Sequence, residues 1–185
     1  MYLSVIIPVF NEVNTIDEII DKVLKTKCNF KEIIIIDDFS SDGTRAKLKK
    51  YENKDLFIIE YHPKNIGKGA CIKTAIKHLS GDYVIIQDAD LEYDPKDYQK
   101  LLEPFKLGVA DVVYGSRFIG SDKKRVLYFW HTVGNKILTL LSNIFTNLNL
   151  SDMEVGYKAF KTDIIKNIDL KENRFGFEPE VTAKI

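Results

Sequence analysis

The sequence predicts an α/β fold, a Rossmann-like and mainly parallel sheet flanked by helices, and three observations carry that expectation. Short β-branched apolar runs alternate with stretches of helical periodicity, the pattern of βα units. The first run, Leu3–Val9, is continuous rather than alternating, as a strand covered on both faces should be. Two such runs end in acid clusters, IIDDFSSDGT from Ile35 and QDADLEYDP from Gln87. Open parallel sheets bind ligands beyond the carboxyl ends of their strands, so both clusters belong on one edge.

After the first strand, Asn14 is placed to cap a helix whose Ile16, Ile19, Ile20, Val23 and Leu24 share a face. Glu32–Asp37 and Leu56–Tyr61 read as the next strands, with Ser41 or Asp42 capping a short basic helix between them that ends near Lys50. A helix from about Gly69 to Leu79 leads to a strand at Tyr83–Gln87. Pro95 suits the first position of a helix toward Phe105, and Asp111–Tyr114 is a further strand. A long amphipathic helix, a strand near Tyr157–Phe160 and short helical pieces complete the chain. Residues 1–118 are expected to form the ligand-binding half of one domain and 119–185 a smaller second half.

Composition narrows the function. The chain has 185 residues, enough for one domain with a real core, and 27 basic against 27 acidic residues. That balance leaves no global field for nucleic acid. Cys28 and Cys71 form neither a metal spacing nor a disulfide framework, which suits a reducing cytoplasm. No basic leader precedes the apolar start, and Val126–Leu150 is too interrupted by His131, Lys136 and asparagines to span a membrane. His62, His78 and His131 are dispersed and read as surface or packing residues. Nothing in the sequence speaks to oligomeric state.

The acid clusters carry the chemistry. Gathered like charges raise one another's pKa unless a cation neutralises them. Asp88, Asp90 and Glu92 share one side wherever the chain stays extended, and their hard oxygens suit Mg2+ or Mn2+ with positions left for phosphate. Asp42 and Asp94 read instead as loop and helix caps. Other phosphate cradles fail: there is no GxxxxGK[ST] loop, and GKGACI from Gly67 lacks the third glycine of a dinucleotide fingerprint. A metal is then the natural partner of a diphosphate.

SVIIPVFNE from Ser4, DDFSSDGT from Asp37, NIGKGACIKTAI from Asn65 and QDADLEYDP resemble, in order, motifs of family-two glycosyltransferases. VVYGSRF from Val112, LSDMEVGYKAF from Leu150 and NRFGFEPEVTAK from Asn173 continue the resemblance over essentially the whole chain. The dolichyl-phosphate mannose synthase-like subgroup, which moves a sugar from a nucleotide to a polyprenyl phosphate, is similar throughout. The resemblance implies a GT-A fold and an inverting reaction. It implies that Pro8, Val9 and Glu12 line the base and ribose pocket, that Asp37 and Asp38 lie near the base, and that Lys68 and Arg117 lie near the diphosphate. Asp88, Ala89 and Asp90 match the DxD metal motif, and Glu92 is a third ligand where relatives often carry Gln. Read alone, Pro8 ends a strand, Glu12 is a solvated residue before a helix and Lys68 is equally a surface lysine. Relatives usually continue beyond this point, so the chain is expected to be shortened at Ile185.

A hydroxyl acceptor needs a general base, for which Asp152 and Glu154 are candidates, whereas a polyprenyl phosphate is already anionic. Lys123, Lys124 and Arg125 precede Leu127, Tyr128, Phe129 and Trp130 and the stripe Val133, Ile137, Leu140, Leu141, Ile144 and Leu148. Most of that stripe reads as core. If Phe129 and Trp130 are exposed, the helix instead suits peripheral contact with the inner face of an anionic membrane. The expected partners are a UDP- or GDP-linked sugar and a lipid-phosphate or glycan acceptor. The rival readings are transfer to a sugar hydroxyl in cell-surface polysaccharide synthesis, a receiver-like signalling domain that would take phosphate from acetyl phosphate, and a metal-dependent nucleotidyltransferase. The last would show a glycine- and arginine-rich loop where PVFNE stands.

Overall fold

The computed structural model describes residues 1–115 and 129–185. Among the described residues, six strands form one sheet in the order β3-β2-β1-β4-β6-β5. They are β1 (Leu3–Val9), β2 (Phe30–Asp37), β3 (Phe57–Tyr61), β4 (Tyr83–Ile86), β5 (Val112–Tyr114) and β6 (Lys158–Lys161). β1 pairs in parallel with β2 and β4, and β2 with β3. β6 is antiparallel to both β4 and β5, with Lys158 beside Ile86 on one side and Tyr114 on the other.

Because the strands are covered on both faces, their side chains feed two cores. Val5, Ile7, Ile33, Ile35 and Ile85 pack with α1 (Ile16–Leu24) and α4 (Tyr98–Lys106). Ile6, Ile34, Ile36, Val84 and Ile86 pack with α3 (Lys68–Ile76), α6 (Thr162–Asn167) and α7 (Phe177–Lys184). The strand isoleucines named here are buried, each contributing on the order of 2 kcal/mol of apolar burial.

Local chemistry sets the element ends, and several differ from expectation. The N-cap of α1 is Thr15 rather than Asn14, with no side-chain cap bond to the helix. Leu24, expected on its buried face, is exposed. The short basic helix α2 (Thr44–Leu48) starts after Gly43, whose φ of 104° is left-handed; Asp42 Oδ1 accepts from Thr44 N at 3.0 Å. Asp94 caps the 3-10 turn at Pro95–Asp97 by accepting from Lys96 N at 3.0 Å, and α4 proper begins at Tyr98. Asp94 is thus a cap, as the sequence indicates, whereas the N-cap of α2 is Gly43 rather than Ser41 or Asp42, and Asp42 braces the loop just before it.

The largest departure is α5 (Phe129–Thr146), the long amphipathic helix. The stripe expected to be core faces outward: Ile137, Leu140, Leu141 and Ile144 are exposed, with Leu138, Phe145 and Trp130. Asn135, Thr139 and Asn143, spaced four residues apart, face the protein instead. Asn135 Nδ2 donates to Asp152 Oδ1 at 2.9 Å, and Thr139 Oγ1 accepts from Met153 N at 3.1 Å. Asn143 both donates to Leu150 O and accepts from Leu150 N. Periodicity gives which residues share a face; these polar partners decide which face turns inward. No helix of the described residues is long and apolar enough to cross a membrane.

Candidate functional site

The carboxyl ends of β1, β2 and β4 open on a cavity of about 320 Å³ lined by Pro8, Val9, Glu12, Asp38, Lys68, Cys71, Asp88, Ala89 and Asp90, with Phe10 and Phe175. A larger groove of about 590 Å³ lies at the opposite edge, beside Met1, Asp82 and Lys161, and holds neither acid cluster. Strand geometry and the parallel register thus bring the two clusters together, as the topology requires.

The β2 cluster is held by the fold. Asp38 accepts from Ile66 N at 2.9 Å and Gly67 N at 2.7 Å, tying down the loop before α3, and meets His62 Nδ1 at 2.8 Å. Asp37 is fully buried, does not line the cavity, and pairs with Arg45 Nε at 2.5 Å. Arg45 is itself sandwiched by Phe39 and Tyr61, at 5.2 and 5.3 Å from their rings. Asp38, His62 and Cys71 offer ligand atoms within 4.8 Å of one another. Burial, then Asp38 and Asp37, pushes the Cys71 thiol up to about 12, and the trio is joined by contacts of His62 Nδ1 with Asp38 Oδ1 at 2.8 Å and with Cys71 Sγ at 3.9 Å. His62 is buried, with its two ring nitrogens on Asp38 and Thr74.

The β4 cluster reaches the cavity through a turn. The chain leaves the sheet after Ile86, and Leu91 has a φ of 65°. The extended geometry that would align residues 88, 90 and 92 is therefore absent. Asp90 Oδ1 accepts from Glu92 N at 2.9 Å, and Glu92 is not among the residues lining the cavity. Buried Gln87 orients this turn: its Nε2 donates to Asp88 O and Tyr93 O, while Oε1 accepts from the hydroxyls of Tyr98 and Tyr157. Burial drives the Tyr157 phenol far above its usual value, so it stays a donor.

Lys68 sits between Asp88 Oδ1 at 2.7 Å and Glu178 Oε1 at 3.0 Å. Burial alone would lower its pKa, but Asp88 and Glu178 outweigh it and hold the ammonium above its ordinary value. The glycines flanking it serve close approach: a Cβ on Gly67 or Gly69 would lie 2.5 or 2.6 Å from the backbone oxygen of Asn173 or Glu172. GKG therefore seats the 172–174 loop against the start of α3.

Gly156 makes the other close approach, its hypothetical Cβ lying 2.1 Å from Asp88 Oδ2. Its amide donates to the Tyr93 hydroxyl at 3.0 Å, and the Tyr93 and Tyr157 rings stack at 4.8 Å. Asp152 is buried and bonded to Asn135 and, like Glu154, is not among the cavity-lining residues. Lys158 is buried and donates to Met153 O and Val155 O, which fixes the same loop. Burial, opposed by Glu178, lowers its pKa to about 8. Arg117 lies outside the described residues, as do Lys123, Lys124 and Arg125. Sequence reasoning missed Gln87, Gly156, Glu178 and the Asn135–Asn143 stripe. Only the polar spacing of that stripe carried a local signal.

A family model described as Glycosyl transferase family 2 matches residues 4–169. The chain belongs to glycosyl transferase family 2. Within this family it is 27% identical over 187 residues to the dolichol-phosphate mannosyltransferase of Pyrococcus furiosus, covering 100% of this chain and 53% of that protein. It is 26% identical over 189 residues to the dodecaprenyl-phosphate galacturonate synthase of Rhizobium johnstonii, covering 99% of this chain and 54% of that one. The chain thus spans about half the length of these curated relatives. Its fold matches glucosyl-3-phosphoglycerate synthase of Mycobacterium tuberculosis, solved with Mn2+, UDP-glucose and phosphoglyceric acid. The TM-score is 0.75 at 20% identity, covering 97% of this chain and 62% of that one. The family-2 chain has the GT-A fold, a mostly parallel sheet between helical layers.

Proposed function

We propose that this family-2 chain binds a nucleotide sugar in the 320 Å³ cavity and transfers the sugar, with inversion, to a polyprenyl phosphate. The observation that carries this reading is the convergence of Asp88, Asp90 and Lys68 in one cavity with Pro8, Val9 and Glu12. The relatives, a dolichol-phosphate mannosyltransferase and a dodecaprenyl-phosphate galacturonate synthase, support the acceptor class.

The donor set fits a hard divalent cation: two carboxylates at the mouth of a buried strand, with an ammonium already drawn to one of them. Mg2+ or Mn2+ held by Asp88 and Asp90, with Glu92 as the further candidate, would supply Lewis-acid stabilisation of the leaving diphosphate. Mn2+ accompanies UDP in the mycobacterial synthase, which supports this choice. Lys68 lies where its charge complements the same diphosphate, and Arg117 is the second cation the resemblance assigns there. Pro8, Val9 and Glu12 shape the wall for base and ribose; Asp38 contributes to that wall and Asp37 braces it from below.

In the transfer, an acceptor phosphate oxygen forms a bond to the anomeric carbon as the bond from that carbon to the nucleoside diphosphate breaks on the opposite side. An anionic acceptor needs no proton removed. A hydroxyl acceptor would need Asp152 or Glu154 as base; Asp152 is buried against Asn135 and neither lines the cavity, which favours the phosphate.

The outward apolar face of α5 supports peripheral contact with the inner face of an anionic membrane, where a polyprenyl phosphate resides. The test of the donor site is a thermal-shift screen of UDP- and GDP-sugars with and without Mn2+, since ligands of the native state raise apparent stability. The matching donor should shift the melting point only with metal, and Asp90→Asn should abolish that shift. Equal shifts in chelator would sink the reading.

A further inference from the structure

Glu178 stands in no acid cluster, yet it is buried at the start of α7 and reaches Lys68 at 3.0 Å. Its helix is anchored on both sides of it: Phe177 and Val181 are buried in the core, and Thr182 Oγ1 meets the Tyr114 hydroxyl at 2.9 Å. The carboxylate is therefore fixed in place, and the flexible four-carbon stem of Lys68 is the mobile member of the trio. Lys68 bridges two carboxylates, of which only Asp88 and not Glu178 lines the cavity.

A cation arriving at Asp88 competes with the Lys68 ammonium for the same carboxylate. Without a second partner, Lys68 would have to remain on Asp88 or give up its only neutralising contact while largely desolvated, which is costly. We propose that Glu178 is a positioning residue that holds Lys68 while Asp88 turns to a divalent cation, keeping the ammonium at the diphosphate without blocking the metal. The proposal rests on the reading of Asp88 as a metal ligand.

The test is Mn2+ affinity of the full chain without nucleotide, read from the electron paramagnetic resonance of free Mn2+. The proteins are wild type, Glu178→Gln, Lys68→Met and the double variant. Directly contacting charged residues couple strongly, so Glu178→Gln should weaken Mn2+ binding by about tenfold in the wild-type background. Lys68→Met alone should tighten it, and adding Glu178→Gln to Lys68→Met should change affinity by no more than about twofold. Glu178→Asp keeps the charge but withdraws it by one methylene. It should lose several-fold affinity with Lys68 present and none without it, and it serves if the glutamine variant folds poorly.

An equal loss from Glu178→Gln in both backgrounds would mean a through-space charge effect and overturn the proposal alone. No loss in either background would do the same. Absence of Mn2+ binding by wild type and Lys68→Met alike would instead remove the metal-site reading, and this inference with it.

Discussion

Gly156→Ala isolates the contact between the loop before β6 and Asp88, the proposed metal ligand. A Cβ there would lie 2.1 Å from Asp88 Oδ2 and 2.9 Å from Tyr93 Cε2, against 3.4 Å for ordinary contact. The Asp88 carboxylate must withdraw by about 1.3 Å to relieve the overlap. Two neighbours oppose that movement, Lys68 on Oδ1 at 2.7 Å and the Tyr93 ring stacked on Tyr157. Overpacking costs about 1–3 kcal/mol, and the lower half of that range applies because the closest atom ends a rotatable side chain. The functional cost is larger, since a misplacement of about 1 Å in a reacting constellation costs on the order of a hundredfold. We expect Gly156→Ala to lose about 1 kcal/mol in urea denaturation and at least tenfold in Mn2+ affinity by isothermal titration calorimetry. A folded variant with Mn2+ affinity within twofold of wild type would refute the placement of Gly156 against Asp88.

Three further expectations follow from the same geometry. Arg45→Met strands the fully buried Asp37, whose Oδ1 already lacks a partner among the described residues. It should cost about 3 kcal/mol in urea denaturation and be partly rescued by Asp37→Asn; a loss below about 1 kcal/mol would contradict the pair's role. Lys158 is protonated in both folded and unfolded chains below about pH 8, so its burial penalty is fully present there. Between about 8 and 10.5 the folded form releases its proton while the unfolded chain keeps it, so stability should rise with pH relative to Lys158→Met. At about 1.4 kcal/mol per pH unit, the difference between the two proteins should change by about 3 kcal/mol across that window, and parallel curves would count against it. Replacing exposed Trp130 and Phe145 by Ser should abolish co-sedimentation with anionic vesicles; unchanged binding would turn attention away from α5.

Much of the scaffold was legible because it is written locally. Continuous β-branched runs marked the parallel strands, and Asp94 announced itself as a cap beside Pro95, while Asp42 braces the loop at Gly43. The acid clusters were legible through topology, since strand ends in a parallel sheet share an edge. What escaped depends on partners distant in the chain. Glu178 meets Lys68 across more than a hundred residues, Gly156 meets Asp88, and Gln87 gathers two tyrosines, and no periodicity encodes such meetings. The orientation of α5 escaped for a related reason. An apolar stripe normally identifies the inward face, but here Asn135, Thr139 and Asn143 satisfy backbone and side-chain groups of the 150–153 loop. Those groups, otherwise buried without partners, decide the outcome.

The antiparallel insertion of β6 between β4 and β5 links these features. A parallel strand beside β4 would enter from the far edge, whereas an antiparallel one must enter over the mouth of β4, where Asp88 emerges. Lys158 pairs with Ile86, so the residues just before β6 have only one place to lie, against the 88–93 turn. Glycine at 156 permits that approach, and Lys158 secures the loop from below through Met153 and Val155. The same loop is fastened above to the polar stripe of α5. The outer face of α5 is thus joined to the turn that carries Asp88 through residues 150–156, which are held at Asn143–Leu150, Asn135–Asp152, Thr139–Met153 and Gly156–Tyr93.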